Sequence, residues 1–197
     1  MQRLYTYLFS SKLGELFSIF ICLLIFGSFP LAAAPLLLIN LISDTFPIMS
    51  ILSDGIFEHK PLHIFAKDDK ALFTTRSKTV ICVQTVIIAA VSIIAYSIGN
   101  AQSNTFAQTM MFAVLILSQL FNMASTKFED FFYRFAHFRN RVVSIVLALS
   151  TVLVVLLLLT PMGTALGLSV LSFGQFMTAV ILSLIVFISG LICRMTA

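Results

Sequence analysis

Charged residues are scarce in this chain of 197 residues. Asp, Glu, Lys and Arg together make up 10% of it, whereas 59% of the residues are hydrophobic. The mean hydropathy is +1.06. Soluble globular domains contain about a quarter charged residues, so this composition excludes that class. The chain is instead predicted to be an integral, multi-pass membrane protein that is surrounded by membrane lipid.

Cysteine is also rare. Cys22, Cys82 and Cys193 all fall within apolar runs, and no CxxC pair occurs. This pattern favours neither a disulfide framework nor a soft-metal site, and it is typical of small buried apolar side chains. Basic residues do not alternate with aromatic ones as on an RNA-binding surface. We therefore attribute the formal net charge of +4 to membrane topology and anionic lipid, and we expect no nucleic-acid partner.

Apolar runs of about 20 residues, long enough to cross a bilayer, occur six times. They cover 5–26, 32–52, 80–98, 107–124, 142–159 and 176–193. The runs show no regular alternation of apolar and polar residues, which argues against a transmembrane barrel. The sequence predicts an all-α membrane protein in which 1–197 form a single domain, a bundle of six transmembrane helices.

The basic residues predict the orientation of this bundle. Lys and Arg are absent from the segment around Pro30, from 100–105 and from 161–172. They lie near both ends of the chain and in the loops 53–79 and 125–141. By the positive-inside rule, both termini and these two loops are predicted to be cytoplasmic.

The second span contains polar residues that do not suit lipid. In PLAAAPLLLINLISDTFP, residues 30–47, Asn40, Ser43 and Asp44 are three and four residues apart and share one helix face. Pro47 has no N–H for the carbonyl of Ser43, so that oxygen stays available on the same patch. Such oxygens suit Ca²⁺ or another hard cation. A carboxylate at bilayer depth costs about 2.5–3.5 kcal/mol, so Asp44 needs either a cation or a buried neutralising partner.

Glu15 lies in the first span at a depth that matches Asp44. It is about ten residues, or ~15 Å, from the cytoplasmic edge, and Asp44 is about eight residues, or ~12 Å, from the same edge. Two acids at similar depth on helices joined by a short hairpin favour a shared cation site. Lys12 lies three residues before Glu15 on the same face. Its ammonium either extends to the cytoplasmic surface or turns inward as a tethered counter-ion that replaces one cation.

Two motifs resemble the fifth and sixth transmembrane helices of P-type cation-transporting ATPases, closest to the calcium-pump branch. YLFSSKLGE at 7–15 is similar to the family pattern YLxSSNxGE, and PLLLINLISDTFP at 35–47 to PxQLLWxNLxTDGLP. Weaker similarity continues, in order, in TMMFAVLILSQLFN at 109–122, FRNR at 138–141 and LSFGQF at 171–176. The resemblance covers nearly the whole chain and implies the C-terminal membrane domain of such a pump, helices five to ten.

The cation ligands that this resemblance implies are Glu15, Asn40, Ser43, Asp44 and Gln119. Ser43 stands where calcium pumps have Thr, and Gln119 stands where they have Glu or Gln. Lys12 stands where they have a ligand Asn, a departure that resembles proton-exporting pumps with a built-in lysine. The expected transported ligand is Ca²⁺ or another cation, and the choice and number of ions stay open.

The family's motifs for ATP hydrolysis do not occur in this sequence: the DKTGT motif with its phosphorylated Asp, the TGE loop and GDGxND. This chain alone is therefore not identified as an ATPase, and ATP and Mg²⁺ are expected only in a full-length pump. Our leading hypothesis is a membrane domain in the cation pathway that works with N-terminal pump domains. The alternatives are a non-enzymatic subunit or regulator of a full-length pump, a truncated gene remnant, and a passive channel or secondary transporter.

Overall fold

The computed structural model describes residues 2–42, 75–134 and 141–196, and every regular element in these ranges is helical. The helices are α1 (Gln2–Phe26), α2 (Ala33–Asn40), α3 (Thr75–Asn100), α4 (Asn104–Arg134), α5 (Arg141–Leu159) and α6 (Phe173–Thr196), with a 3₁₀ helix at Pro161–Leu166. The predicted all-α class is confirmed for this part of the chain.

Four helices of the described ranges are long and apolar enough to cross a membrane. Their spanning parts are Thr6–Phe26, Ser77–Asn100, Asn104–Ser125 and Phe173–Cys193, and α5 has a shorter apolar part at Ala148–Leu159. The four spans correspond to the first, third, fourth and sixth predicted ones, with ends that differ by a few residues. The second predicted span, 32–52, is described only as far as Ile42.

α4 is the central helix of the bundle. In its most apolar stretch 89% of the residues are buried, compared with 33% in α1 and in α6. Residues 109–120 are buried without interruption, so α4 is enclosed on all sides. It packs against each of the other five α-helices. The polar side chains in this part of α4 therefore face other helices and not lipid.

The loop that joins α1 to α2 is held by side chains of α3 and α4. Ser28 Oγ lies 2.9 Å from the hydroxyl of Tyr96, which donates to Asn104 Oδ1 at 3.0 Å. Gln108 Nε2 donates to the carbonyl of Phe29 at 3.0 Å. These hydrogen bonds hold the α1–α2 hairpin, which bears Lys12, Glu15 and Asn40, against the rest of the bundle.

Glycine allows α3 and α4 to meet closely at the turn between them. A Cβ added at Gly99 would lie 2.5 Å from Cα of Ala107 and 2.9 Å from its backbone nitrogen. Backbone atoms cannot swing aside as the end of a flexible side chain can. A larger residue at position 99 would therefore force the two helices apart.

We expect Gly99→Ala to lower the free energy of unfolding by ~1–3 kcal/mol, the usual cost of overpacking. Chemical unfolding in detergent micelles, followed by circular dichroism, would measure it. Gly174→Ala is the matched control, because a Cβ there meets nothing within 4 Å and the change likewise favours helix formation. A loss in Gly174→Ala as large as in Gly99→Ala would contradict the close approach as the cause.

Candidate cation site

An ion pair with a buried carboxylate and a partly exposed ammonium lies in the middle of α1. Lys12 Nζ is 3.0 Å from Glu15 Oε2, and it also donates a hydrogen bond to Asn40 Oδ1 of α2. The side chain of Glu15 is 7% exposed and that of Lys12 34%. Lys12 therefore turns inward and connects α1 to α2, which is one of the two orientations that the sequence allowed.

α4 contributes an amide to the same carboxylate. Gln119 Nε2 donates to Glu15 Oε2 at 3.1 Å, and the whole Gln119 side chain is buried. Its other polar atom, Oε1, has no hydrogen-bond partner among the described residues. A buried oxygen left unpaired costs about 1–3 kcal/mol, so it is available to a further ligand.

Four of the six residues singled out in the sequence thus lie in one cluster: Lys12, Glu15, Asn40 and Gln119. They come from α1, α2 and α4, and we call them the Lys12–Glu15 cluster. Ser43 and Asp44 lie outside the described residues. Within the described ranges no three His, Cys, Asp or Glu side chains group together as a metal site. Among the described members of the Lys12–Glu15 cluster, the side-chain oxygens available to a cation belong to one carboxylate and two amides.

α2 changes geometry directly after Asn40. Leu41 and Ile42 continue in the wider π-helical conformation, and the N–H of Leu41 is shared between the carbonyls of Leu37 and Leu38. Such π turns are frequent at functional sites, because the extra residue changes the direction of the side chains. The regular helical spacing that we assumed beyond Asn40 is therefore interrupted at Leu41.

A second polar contact between α4 and α1 was not assigned to the site from the sequence. Asn122 Nδ2 donates to Ser10 Oγ at 3.0 Å and to Ser11 Oγ at 3.1 Å, and all three residues are buried. In the sequence, this contact is indicated by the three-residue spacing of Gln119 and Asn122, which places both amides on one face of α4. That spacing does not show which helix the amides contact.

α3 packs against the same part of α1. Thr85 Oγ1 donates to the carbonyl of Ser10 at 3.4 Å. A Cβ added at Gly14 would lie 2.8 Å from Cγ2 of Ile88. Small residues let helices approach closely in membranes, so Gly14 brings α3 next to the turn of α1 that contains Glu15.

The charges of Lys12 and Glu15 compensate each other inside the cluster. An isolated charge at this depth costs several kcal/mol, and removing one partner of a buried pair leaves the other uncompensated. The oxygens of Glu15, Asn40 and Gln119 are hard ligands of the type that Ca²⁺ and similar cations prefer. The arrangement can thus hold either an ammonium or a metal cation.

Comparison with known proteins establishes the family. Residues 28–196 match the family described as "Cation transporting ATPase, C-terminus". The chain belongs to this family. It corresponds to the C-terminal membrane part of a cation-transporting P-type ATPase, and together with its apolar helices this makes it an integral, multi-pass membrane protein.

One relative is the calcium-transporting ATPase of Bacillus subtilis (strain 168), which is 24% identical over 147 residues. The match covers 71% of this chain and 16% of that protein, so the chain spans less than a fifth of the relative's length. The resemblance to the calcium-pump branch, indicated by the motifs at 7–15 and 35–47, is confirmed by this similarity.

Proposed function

We propose that this chain forms part of the cation-binding and translocation pathway of a P-type pump. The ligands in this proposal are Glu15, Asn40, Ser43, Asp44 and Gln119. The observation that supports it is the meeting of three helices at the Lys12–Glu15 pair of α1, where Asn40 of α2 accepts from Lys12 and Gln119 of α4 donates to Glu15. The transported ion is Ca²⁺ or another cation, and the name of the bacterial relative favours Ca²⁺.

Lys12 acts in this proposal as a tethered counter-ion. Its ammonium contacts a carboxylate oxygen and an amide oxygen, which are also the atoms that a metal cation would use. A cation and the ammonium repel each other at these oxygens, so a bound cation either displaces Lys12 or uses the remaining oxygens. The unpaired Gln119 Oε1 is one of those.

The proposed topology has six transmembrane helices, with both termini and the loops 53–79 and 125–141 in the cytoplasm. α2 and α5 supply the two spans beyond the four that are long enough in the described ranges. The clustering of Lys and Arg in these loops and near the termini supports this orientation. α4 continues to Arg134, so the first half of 125–141 extends the helix.

The ATP-driven step requires a partner. The N-terminal domains of a pump, in the same polypeptide or in a separate full-length pump, would supply the site for ATP and Mg²⁺. The relative's much greater length supports this, since the chain matches only 16% of it. In the intact pump, movements of those domains would raise and lower the cation affinity of the Lys12–Glu15 cluster.

Cation binding by the purified chain in lipid nanodiscs tests the proposal. Ca²⁺, Mg²⁺, Na⁺ and K⁺ are each titrated into the sample, and binding is measured by isothermal titration calorimetry. We expect saturable binding of Ca²⁺ or of another of these cations. Gln119→Leu should weaken it by about tenfold, which is about 1.4 kcal/mol. No binding of any ion, or equal binding by Gln119→Leu, would contradict the proposal.

Gln84→Leu is the matched control for this experiment. Gln84 is likewise fully buried with an unpaired Oε1, but its Nε2 donates to Ser189 of α6 at 3.4 Å and not to Glu15. Its replacement should leave the cation affinity unchanged. In liposomes the chain should also conduct no cations without ATP, because flux without nucleotide would favour a passive channel.

A further inference from the structure

Two amides on one face of α4 contact successive turns of α1. Gln119 Nε2 donates to Glu15 Oε2, and Asn122 Nδ2 donates to both Ser10 Oγ and Ser11 Oγ. Ser11 and Glu15 are four residues apart, which is about one helical turn. Lys12 lies between the two contacts, and it directly follows the second serine.

The contact of Asn122 restricts the rotation of α1 about its own axis. Neighbouring residues on a helix point about 100° apart, so one amide reaches both Ser10 and Ser11 only when it faces the space between them. A rotation in either direction lengthens one of the two hydrogen bonds. Thr85 of α3 adds a third contact at the carbonyl of Ser10.

The position of the Lys12 ammonium depends on this rotation. The end of a side chain lies roughly 6 Å from the helix axis, so a rotation of about 20° would move it by about 2 Å. Hydrogen bonds do not tolerate a displacement of that size. Glu15 lies on the same helix and turns with Lys12, so their contact is kept, but the ammonium could no longer reach Asn40 of α2 without a change of its own conformation.

We propose that Asn122 is a positioning residue for Lys12. By binding Ser10 and Ser11, it holds α1 at the rotation at which the Lys12 ammonium, paired with Glu15 of the same helix, also meets Asn40 of α2. The inference deepens the proposed function, and it rests on that function in calling Lys12 a counter-ion. Asn122 itself is not a ligand in this proposal. An amide that only joined two helices would affect the stability of the bundle without changing the surroundings of Lys12.

The test compares the rates at which acetic anhydride, a membrane-permeant reagent, acetylates Lys12 and Lys78. The full chain is labelled in nanodiscs without divalent cations, and mass spectrometry gives the ratio of the two rates. Lys78 is an exposed internal reference. Asn122→Leu should raise the Lys12/Lys78 ratio about three- to fivefold, the factor that corresponds to one lost interhelical hydrogen bond. Gln84→Leu, which removes a buried amide that contacts α6, should leave the ratio unchanged.

A second set of variants keeps the test decisive if Asn122→Leu does not fold. The double variant Ser10→Ala/Ser11→Ala retains Asn122, and it should raise the ratio by the same factor. When the double variant is combined with Asn122→Leu, the ratio should rise no further, because both sets of changes remove the same contact between Asn122 and the two serines. An unchanged ratio in a folded Asn122→Leu chain, or additive effects in the combination, would overturn the inference.

The outcome is separable from the proposed function. A chain that binds no cation, but whose Lys12 labelling responds to Asn122→Leu, would refute the cation site and leave the positioning role intact. A chain that binds cations, but whose Lys12 labelling does not change in Asn122→Leu, would refute the positioning role and leave the cation site intact.

Discussion

Glu15→Gln, in a pump assembled to full length, is expected to abolish the cation-dependent phosphorylation by ATP. Glu15 is the one acid among the described members of the Lys12–Glu15 cluster, and it accepts hydrogen bonds from Lys12 and Gln119. Glutamine keeps the size of the side chain but removes its charge, so a cation loses its attraction to the carboxylate. The Lys12 ammonium at the same time loses the negative charge of Glu15, and it repels a metal ion.

Both effects lower the cation affinity, so we expect a loss of at least about 100-fold, or roughly 2.7 kcal/mol. Phosphorylation from radiolabelled ATP across a cation titration measures it. Asp44→Asn, at the second acid predicted from the sequence, should behave in the same way. Gln84→Leu serves as the folding control and should phosphorylate normally. Unchanged cation dependence in Glu15→Gln would reject Glu15 as a ligand.

Lys12→Asn is expected to increase the number of divalent ions bound at saturation by about one per chain. The change removes the ammonium that contacts Glu15 Oε2 and Asn40 Oδ1, and it introduces an amide oxygen in its place. The carboxylate then carries an uncompensated charge, which favours a cation. Equilibrium dialysis with radiolabelled Ca²⁺ on the purified chain gives the stoichiometry.

The same variant should be less stable than the parent chain without divalent ions, because Glu15 loses its partner. Added cation should restore the stability, since a ligand that binds only the folded state shifts the unfolding equilibrium. Lys78→Asn, at an exposed lysine outside the cluster, is the matched control and should change neither property. An unaltered stoichiometry in Lys12→Asn would show that Lys12 is not a counter-ion.

The sequence predicted part of the Lys12–Glu15 cluster by independent arguments. The matched depth of two acids on a short hairpin placed Glu15 near the second span, and the structure joins Glu15 to Asn40 of that span through Lys12. Gln119 was a weak candidate from its place in an apolar span, and the resemblance strengthened it; its contact with Glu15, 104 residues away, could not be predicted because local spacing does not show which helices meet. The π turn at Leu41 had no signal in the periodicity, because it changes the backbone without changing the pattern of apolar residues.

The sequence by itself determined the helical class, the membrane location and the family. These follow from the length of the apolar runs, since lipid offers no partners to the backbone, and from motifs of contiguous residues. Only the tertiary structure decided the direction of Lys12 and the contacts of the α4 amides. Water at the surface and the oxygens of Glu15 and Asn40 are both suitable surroundings for an ammonium. Which one it meets depends on how α1, α2 and α4 pack together.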